Sequence, residues 1–346
     1  MGQQTTTRAT IFDVAQRASV SIKTVSRVVN REPNVRDKTR QKVEQAIAEL
    51  QYRPDSSARN LARQRSHLIG LIYDDPAAYE LPSSGYIIRM QQGALRACRE
   101  RMHELLIHPC NPRERGVGAT LRNLIESARL AGVVLAPPLS NMTRLVRAIQ
   151  ETGTPFVRIS PGLKVRNDRC VATNDLEISA DMVDHLASLG HERIAFISGD
   201  DTHLAVGNRY DGYREGLRRN GLKLIPELVV AGDNSFDSGA AAARQLLGLD
   251  ARPTAVFCAN DDMAAGVVRA ASKLGVSIPD QISVTGFDDI VMARQMDPRL
   301  TTIRQPLARM TERAVKMLLQ GDGSDLFECI PAELKIREST GPAPRY

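Results

Sequence analysis

The stretch from Thr10 to Asn30 reads as a helix-turn-helix whose second helix spaces Ile22, Lys23, Ser26 and Arg27 along one side, a pattern that suits contact with an anionic polymer. Thr10, Ser21, Thr24 and Ser26 carry hydroxyls, Asn30 an amide, and Lys23, Arg27 and Arg36 positive charge. Such groups bond phosphate oxygens and base edges. Through Arg65 there are 13 Lys and Arg against 6 Asp and Glu, while the rest of the chain holds 33 against 34. The net charge of +6 is therefore local to the N-terminal segment, the footprint of a module that faces nucleic acid.

A second group is acidic: Asp74-Asp75, Asp200-Asp201, Asn260-Asp261-Asp262 and Asp288-Asp289. Paired carboxylates can hold a metal or serve acid–base chemistry. Here nothing completes such a site. There is no phosphate-loop lysine motif, no GxSxG and no HExxH. Gly116-Val-Gly118 lacks a third glycine and a preceding strand, and the six histidines show no ligand spacing. The five cysteines are odd in number and never form a CxxC pair, which suits reduced thiols rather than disulfides or zinc. No enzyme activity, cofactor or metal is expected. No run reaches the ~20 apolar residues of a membrane span, and no secretory signal is legible, so a cytoplasmic protein is expected.

The elements that must position the first group are three short helices. Thr10 with Asp13 predicts a capped helix start, with Ile11, Val14, Ala15 and Ala18 on one face. Ser21 caps a second helix, which turns Val25 and Val28 to one side and Ile22, Lys23, Ser26 and Arg27 to the other. That division is what a recognition helix needs. A third helix begins near Asp37, with Val43, Ala46, Ile47 and Leu50 at core spacing. After Tyr52-Arg-Pro54 a stretch with Arg59, Arg63, Arg65 and the apolar Leu61 is too short for a stable isolated helix. It reads as a hinge that orders on DNA with Leu61 as a minor-groove wedge, or as a plain linker.

From residue 66 onward, short β-branched runs alternate with helical stretches. Strands are predicted at Leu68–Tyr73, Leu105–Pro109, Gly132–Ala136, Pro155–Ser160, Arg193–Gly199, Leu228–Gly232, Thr254–Asn260, Ile282–Phe287 and Glu333–Thr340. The rhythm implies α/β architecture with two doubly wound parallel sheets, and the acidic pairs fall at strand ends, where such sheets bind ligands. The domains expected are a helix-turn-helix head (1–54), a hinge (55–65) and a body (66–346). Its first lobe would span about 66–170 and 301–332, its second about 171–300 and 333–346.

The run DVAQRASVSIKTVSRVVN, then VRDKTRQKV and YRP…SARNLA, resembles the head of the lactose-repressor/galactose-repressor (LacI/GalR) family. DMVDHLASLGHERIAFISG, Arg209-Tyr-Asp-Gly-Tyr213, FCANDDMAAG, ISVTGFDD and LTTIRQP resemble its periplasmic-binding-protein-like effector domain. The resemblance implies a DNA-binding transcriptional repressor whose operator affinity is set by a small sugar-like effector between the lobes. Ile22, Lys23 and Arg27 would read the major groove, Leu61 would enter the minor groove and Ala58 would pack paired hinges. Thr10, Ser21, Thr24, Ser26, Asn30, Arg36, Tyr52 and Arg59 complete the expected DNA-binding set.

For the effector the expected residues are Asp74, Tyr86, Arg209, Asn260 and Asp288. A carboxylate, an amide and a guanidinium together suit a polyol. Arg209 with Asp288 is equally readable as an ion pair, Asn260 as a helix cap and Tyr86 as packing. Ser19 stands where the family has glycine, and Arg36 where it has serine. The final residues carry no leucine heptads, so a homodimer on a pseudo-palindromic operator is expected rather than a coiled-coil tetramer. The alternative reading is a ligand-binding sensor that answers a nucleoside, purine or phosphosugar corepressor.

Overall fold

The computed structural model describes residues 9–29, 35–50, 52, 66–74, 85–162, 168–201, 203–320 and 326–344. They divide into two units, Met1–Ser66 and His67–Tyr346.

The first unit holds α1 (Ile11–Ala18), α2 (Ile22–Val29) and α3 (Asp37–Glu49). Thr10 starts α1 with a capping box: its Oγ1 accepts from Asp13 N, and Asp13 Oδ2 accepts from Thr10 N at 2.7 Å. These bonds from Thr10 hold the Asp13 carboxyl below the usual carboxylate range. Ser21 Oγ accepts Thr24 N at 3.2 Å and so caps α2. Arg36 precedes α3 without a side-chain cap. Val14, Ala15, Ala18, Val25, Val28, Val43 and Ala46 form one small core. The turn between α1 and α2 places Ser19 at φ 51°, ψ 48°, a left-handed conformation that glycine adopts without steric cost.

The second unit contains two six-stranded sheets. Its first lobe runs β1 (Leu68–Tyr73), α4 (Gly85–Glu100), β2 (Glu104–Pro109), α5 (Val117–Ala128), β3 (Gly132–Leu135), α6 (Thr143–Gln150), β4 (Phe156–Ile159) and β5 (Arg169–Ala172). The second runs α7 (Asp175–Ser188), β6 (Ile194–Ser198), α8 (Leu204–Arg219), β7 (Val229–Ala231), α9 (Phe236–Leu247), β8 (Ala255–Cys258), α10 (Asp261–Lys273), β9 (Ser283–Phe287), α11 (Val291–Gln295) and β10 (Thr301–Arg304). Then α12 (Leu307–Gln320) and β11 (Phe327–Cys329) return to the first lobe, and β12 (Glu333–Lys335) to the second.

The sheet orders are β11-β5-β4-β3-β1-β2 and β12-β10-β9-β8-β6-β7. Central strands such as β3, β8 and β9 are buried along their whole length, because helices cover both faces. In the first lobe Gly93 of α4 lets α12 approach closely: a Cβ there would stand 1.9 Å from the Ala308 carbonyl oxygen. In both sheets the order reverses beside the first strand of the lobe, so the carboxyl ends of β1, β3, β6 and β8 open onto a crevice.

Three details depart from the sequence expectation. Residues 301–304 are expected in the first lobe, but β10 pairs with β9 in the second sheet. Conversely β5 extends the first sheet to Ala172. The reason is that the chain changes lobes three times, at 173–174, 305–306 and 330–332, and local pattern carries no lobe membership. Asn174 Oδ1 accepts Ala332 N at 2.8 Å, which ties the first crossing to the third. The sheets are also not wholly parallel, since β12 runs antiparallel to β10. Finally, β12 ends at Lys335 rather than Thr340: beyond it Arg337 N donates to the Thr301 side chain instead of a β10 carbonyl, and Ser339 turns to Val284, accepting from its N–H and donating through Oγ to its carbonyl.

Candidate DNA-reading face and effector cleft

In the head, the division of α2 places Ile22, Lys23 and Arg27 on the exposed side and Val25 and Val28 in the core. Ser21 and Arg36 are exposed at helix starts, and Thr10, Thr24 and Ser26 lie at or near the surface. Tyr52 instead packs against the head core, and its N–H donates to Ile47 O at 3.0 Å. Asn30, Ala58, Arg59 and Leu61 lie outside the described residues.

In the body, Arg209 on α8 is buried and is the centre of the cleft cluster. One guanidinium nitrogen donates to Ala259 O at 2.5 Å, and Cζ lies 3.8 Å from the centroid of the Phe287 ring. Two buried carboxylates flank it: Asp175 Oδ1 is 3.7 Å from Nε, and Asp288 Oδ1 is 4.0 Å from an NH group. These are ion pairs too long for direct hydrogen bonds. Asp175 Oδ1 and Arg209 Nε have no hydrogen-bond partner among the described residues. Burial pushes the Asp288 carboxyl up to about 7, against the opposing pull of Arg209 and Gln305. Burial likewise pushes Asp175 up to about 6.

Asp288 sits at the end of β9 with φ 112°, and Asp289 follows with φ 53°. Two successive non-glycine residues in this region cost on the order of 1–3 kcal/mol each, so their surroundings must hold them. Asp288 N donates to Ile303 O at 2.7 Å, and Ile290 N donates to Asp261 Oδ2 at 2.9 Å. Gln305 Nε2 donates to Asp288 Oδ1 at 2.5 Å. The buried Asp289 carboxylate accepts from Arg294, Arg304 and Arg337 at 2.7, 2.6 and 2.6 Å. Burial alone would raise its pKa, but those three arginines hold it at about 2.

Tyr86 begins α4 in the opposite lobe. Burial, then the charge of Asp288, raises its hydroxyl pKa, and Arg209 partly offsets both. Tyr86, Arg209 and Asp288 are thus electrostatic neighbours across the cleft. Asn260 fills the cap position: Oδ1 accepts Met263 N at 2.9 Å and Nδ2 donates to Asn234 O at 2.8 Å. Asp74 follows β1, where its charge acts on the Cys110 thiol.

Sequence reasoning did not single out Asp175, Ser160, His203 or Gln305. Ser160 follows β4 at φ 40° with its buried Oγ unpartnered among the described residues. Burial, helped by Arg209, holds the His203 imidazole at about 3 and therefore neutral. Asp175 follows β5, a strand the sequence reading did not find, so no strand end pointed to it. Gln305 lay within the LTTIRQP match and was legible there.

A family profile described as "Bacterial regulatory proteins, lacI family" matches residues 10–55, and one described as "Periplasmic binding protein-like domain" matches 183–340. The transcriptional repressor CytR of Escherichia coli is 33% identical over 353 residues, covering 98% of each chain. Catabolite control protein A of Priestia megaterium is 30% identical over 338 residues, covering 96% of this chain and 99% of its own. A solved lac repressor dimer bound to operator and an anti-inducer superposes with a TM-score of 0.82 at 29% identity, covering 97% of this chain and all of that one. With a helix-turn-helix head and a two-lobed body that match these proteins from end to end, the chain belongs to the LacI/GalR family of bacterial transcriptional regulators.

Proposed function

We propose that the protein is a cytoplasmic, dimeric repressor that binds a pseudo-palindromic operator and answers a neutral polyhydroxylated effector such as a sugar. Lys23 and Arg27 hydrogen-bond bases or phosphates, Ile22 makes apolar contact with a base edge, and the hydroxyls of Ser21, Thr24 and Ser26 set the register. Residues 55–65 act as the hinge, with Leu61 as the wedge. The effector alters the lobe arrangement. If it favours the DNA-free arrangement it induces, and if it favours the bound one it acts as a corepressor.

The observation that carries the effector reading is the guanidinium of Arg209 held between two carboxylates that it does not directly hydrogen-bond. Ligand hydroxyls inserted there can donate to Asp175 and Asp288 and accept from Arg209 Nε. The charge balance also favours a neutral ligand over a phosphosugar. One cation already faces two acids, so an added anion would meet repulsion.

The test is retention of fragments of the protein's own upstream DNA at fixed salt, followed by a panel of mono- and disaccharides and nucleosides. Specific retention that a neutral sugar releases or strengthens is expected. Arg209→Ala should keep the DNA retention and lose the sugar response. A response to phosphosugars alone, or an Arg209→Ala protein that responds like its parent, would refute this effector assignment.

A further inference from the structure

We propose that Arg89 is a positioning residue that couples the effector carboxylate Asp288 to closure of the two lobes. Arg89 lies on α4, one turn beyond Tyr86, and therefore belongs to the first lobe. Its guanidinium reaches the second lobe. One NH group donates to Asp288 O at 3.3 Å and the other to Asp289 O at 2.5 Å. Both acceptors are backbone carbonyls of the strained turn that presents the Asp288 side chain to the cleft.

The contact is continuous with packing. Gly85, at the start of the same helix, lies against Ile290: a Cβ added there would stand 3.2 Å from Ile290 Cβ. Gly85, Tyr86 and Arg89 thus place one face of α4 along the Asp288-Asp289-Ile290 segment.

The second lobe holds its side of the contact rigidly. Asp289 is anchored by Arg294, Arg304 and Arg337, and Ile290 by Asp261. Among the described residues four basic side chains surround this turn, and of these Arg89 comes from the other lobe. Its desolvation lowers its pKa, while the charges of Asp289 and Asp288 favour its cationic form. A guanidinium suits this task because its donors form a fixed planar fork that spans two consecutive carbonyls. Closure therefore fixes the backbone beneath Asp288, and anything that reorients Asp288 is felt at the Arg89 bonds. The lobe angle and the effector group share one turn.

This assignment rests on Asp288 as an effector group, but its test needs neither sugar nor DNA. One spin label is placed at exposed Ser127 of the first lobe and one at exposed Lys223 of the second, through Ser127→Cys and Lys223→Cys in a Cys329→Ser background. Labelled chain is diluted with unlabelled chain, and the interlobe distance distribution is measured on the full-length protein. Arg89→Met and Arg89→Gln, which remove the paired cationic donors, should raise the ratio of separated to closed lobes by about tenfold or more. Arg89→Lys should restore much of the closed population.

Superimposable distributions in the parent, Met and Gln proteins would overturn the proposal. So would a loss of thermal stability without a change in distance, which marks a packing role alone. A protein that ignores every sugar yet opens when Arg89 is replaced would keep the latch and remove the sugar.

Discussion

Asp288 and Asp175 are acids whose titration falls where effector binding can be measured. Both pKa values are raised by burial, to about 7 and about 6 from a usual value of 3.8. Between roughly pH 4 and 7 the folded protein therefore holds protons that the unfolded chain has released. Their effect on stability is most favourable in acid and is lost as pH rises through 6 to 7. A polyol that donates to these groups prefers them ionised, so its affinity should rise from pH 5.5 to 8 and then level off. Titration calorimetry across that range checks this, and Asp288→Asn should flatten the rise. Asp289 behaves oppositely, because three arginines hold it ionised. Asp289→Asn should lower stability by about 3 kcal/mol, read as a shift in the urea midpoint, because it leaves three guanidinium groups around a neutral amide.

At the scale of elements, most strands were legible because β-branched runs such as Leu68–Tyr73 and Ser283–Phe287 are bounded by turns and helices. The strands not foreseen, Arg169–Ala172, Thr301–Arg304 and Phe327–Cys329, have only three or four residues, and each includes a charged one. Their pairing is decided by tertiary placement rather than local pattern. The cost of missing them was Asp175, which depends on one of them for its position. Asp288 was marked by its place at a strand end, but its effector role and the whole reading of Arg209 rested on the family resemblance, since nothing local distinguishes one Arg on a helix from the next. Asn260 as a cap, by contrast, followed from an Asn before a helical run. The α1–α2 turn offers a test at this scale. Ser19 adopts the left-handed conformation, so Ser19→Gly should stabilise the head by about 1 kcal/mol. Slower hydrogen exchange of the α1 and α2 amides in the full-length chain would show it, and unchanged exchange would mean the strain is negligible.

For the molecule as a whole, charge is divided by unit: the N-terminal 65 residues carry the surplus and the body is near neutral. DNA affinity should therefore depend on salt as a property of the head, falling about a thousandfold between 50 and 200 mM salt if roughly six phosphates are neutralised. A flat dependence would contradict a phosphate-anchored head. Effector affinity should move little over the same range, because the cleft groups are buried. That contrast lets the two activities be separated by ionic strength alone. The chain also contains no tryptophan and only seven tyrosines, one of which, Tyr86, lies within the electrostatic reach of Asp288 and Arg209. Without an indole to drain their excited states, the tyrosines keep their own ultraviolet emission. The protein thus carries a built-in optical probe at its cleft, and occupancy can be followed in the unmodified chain by light.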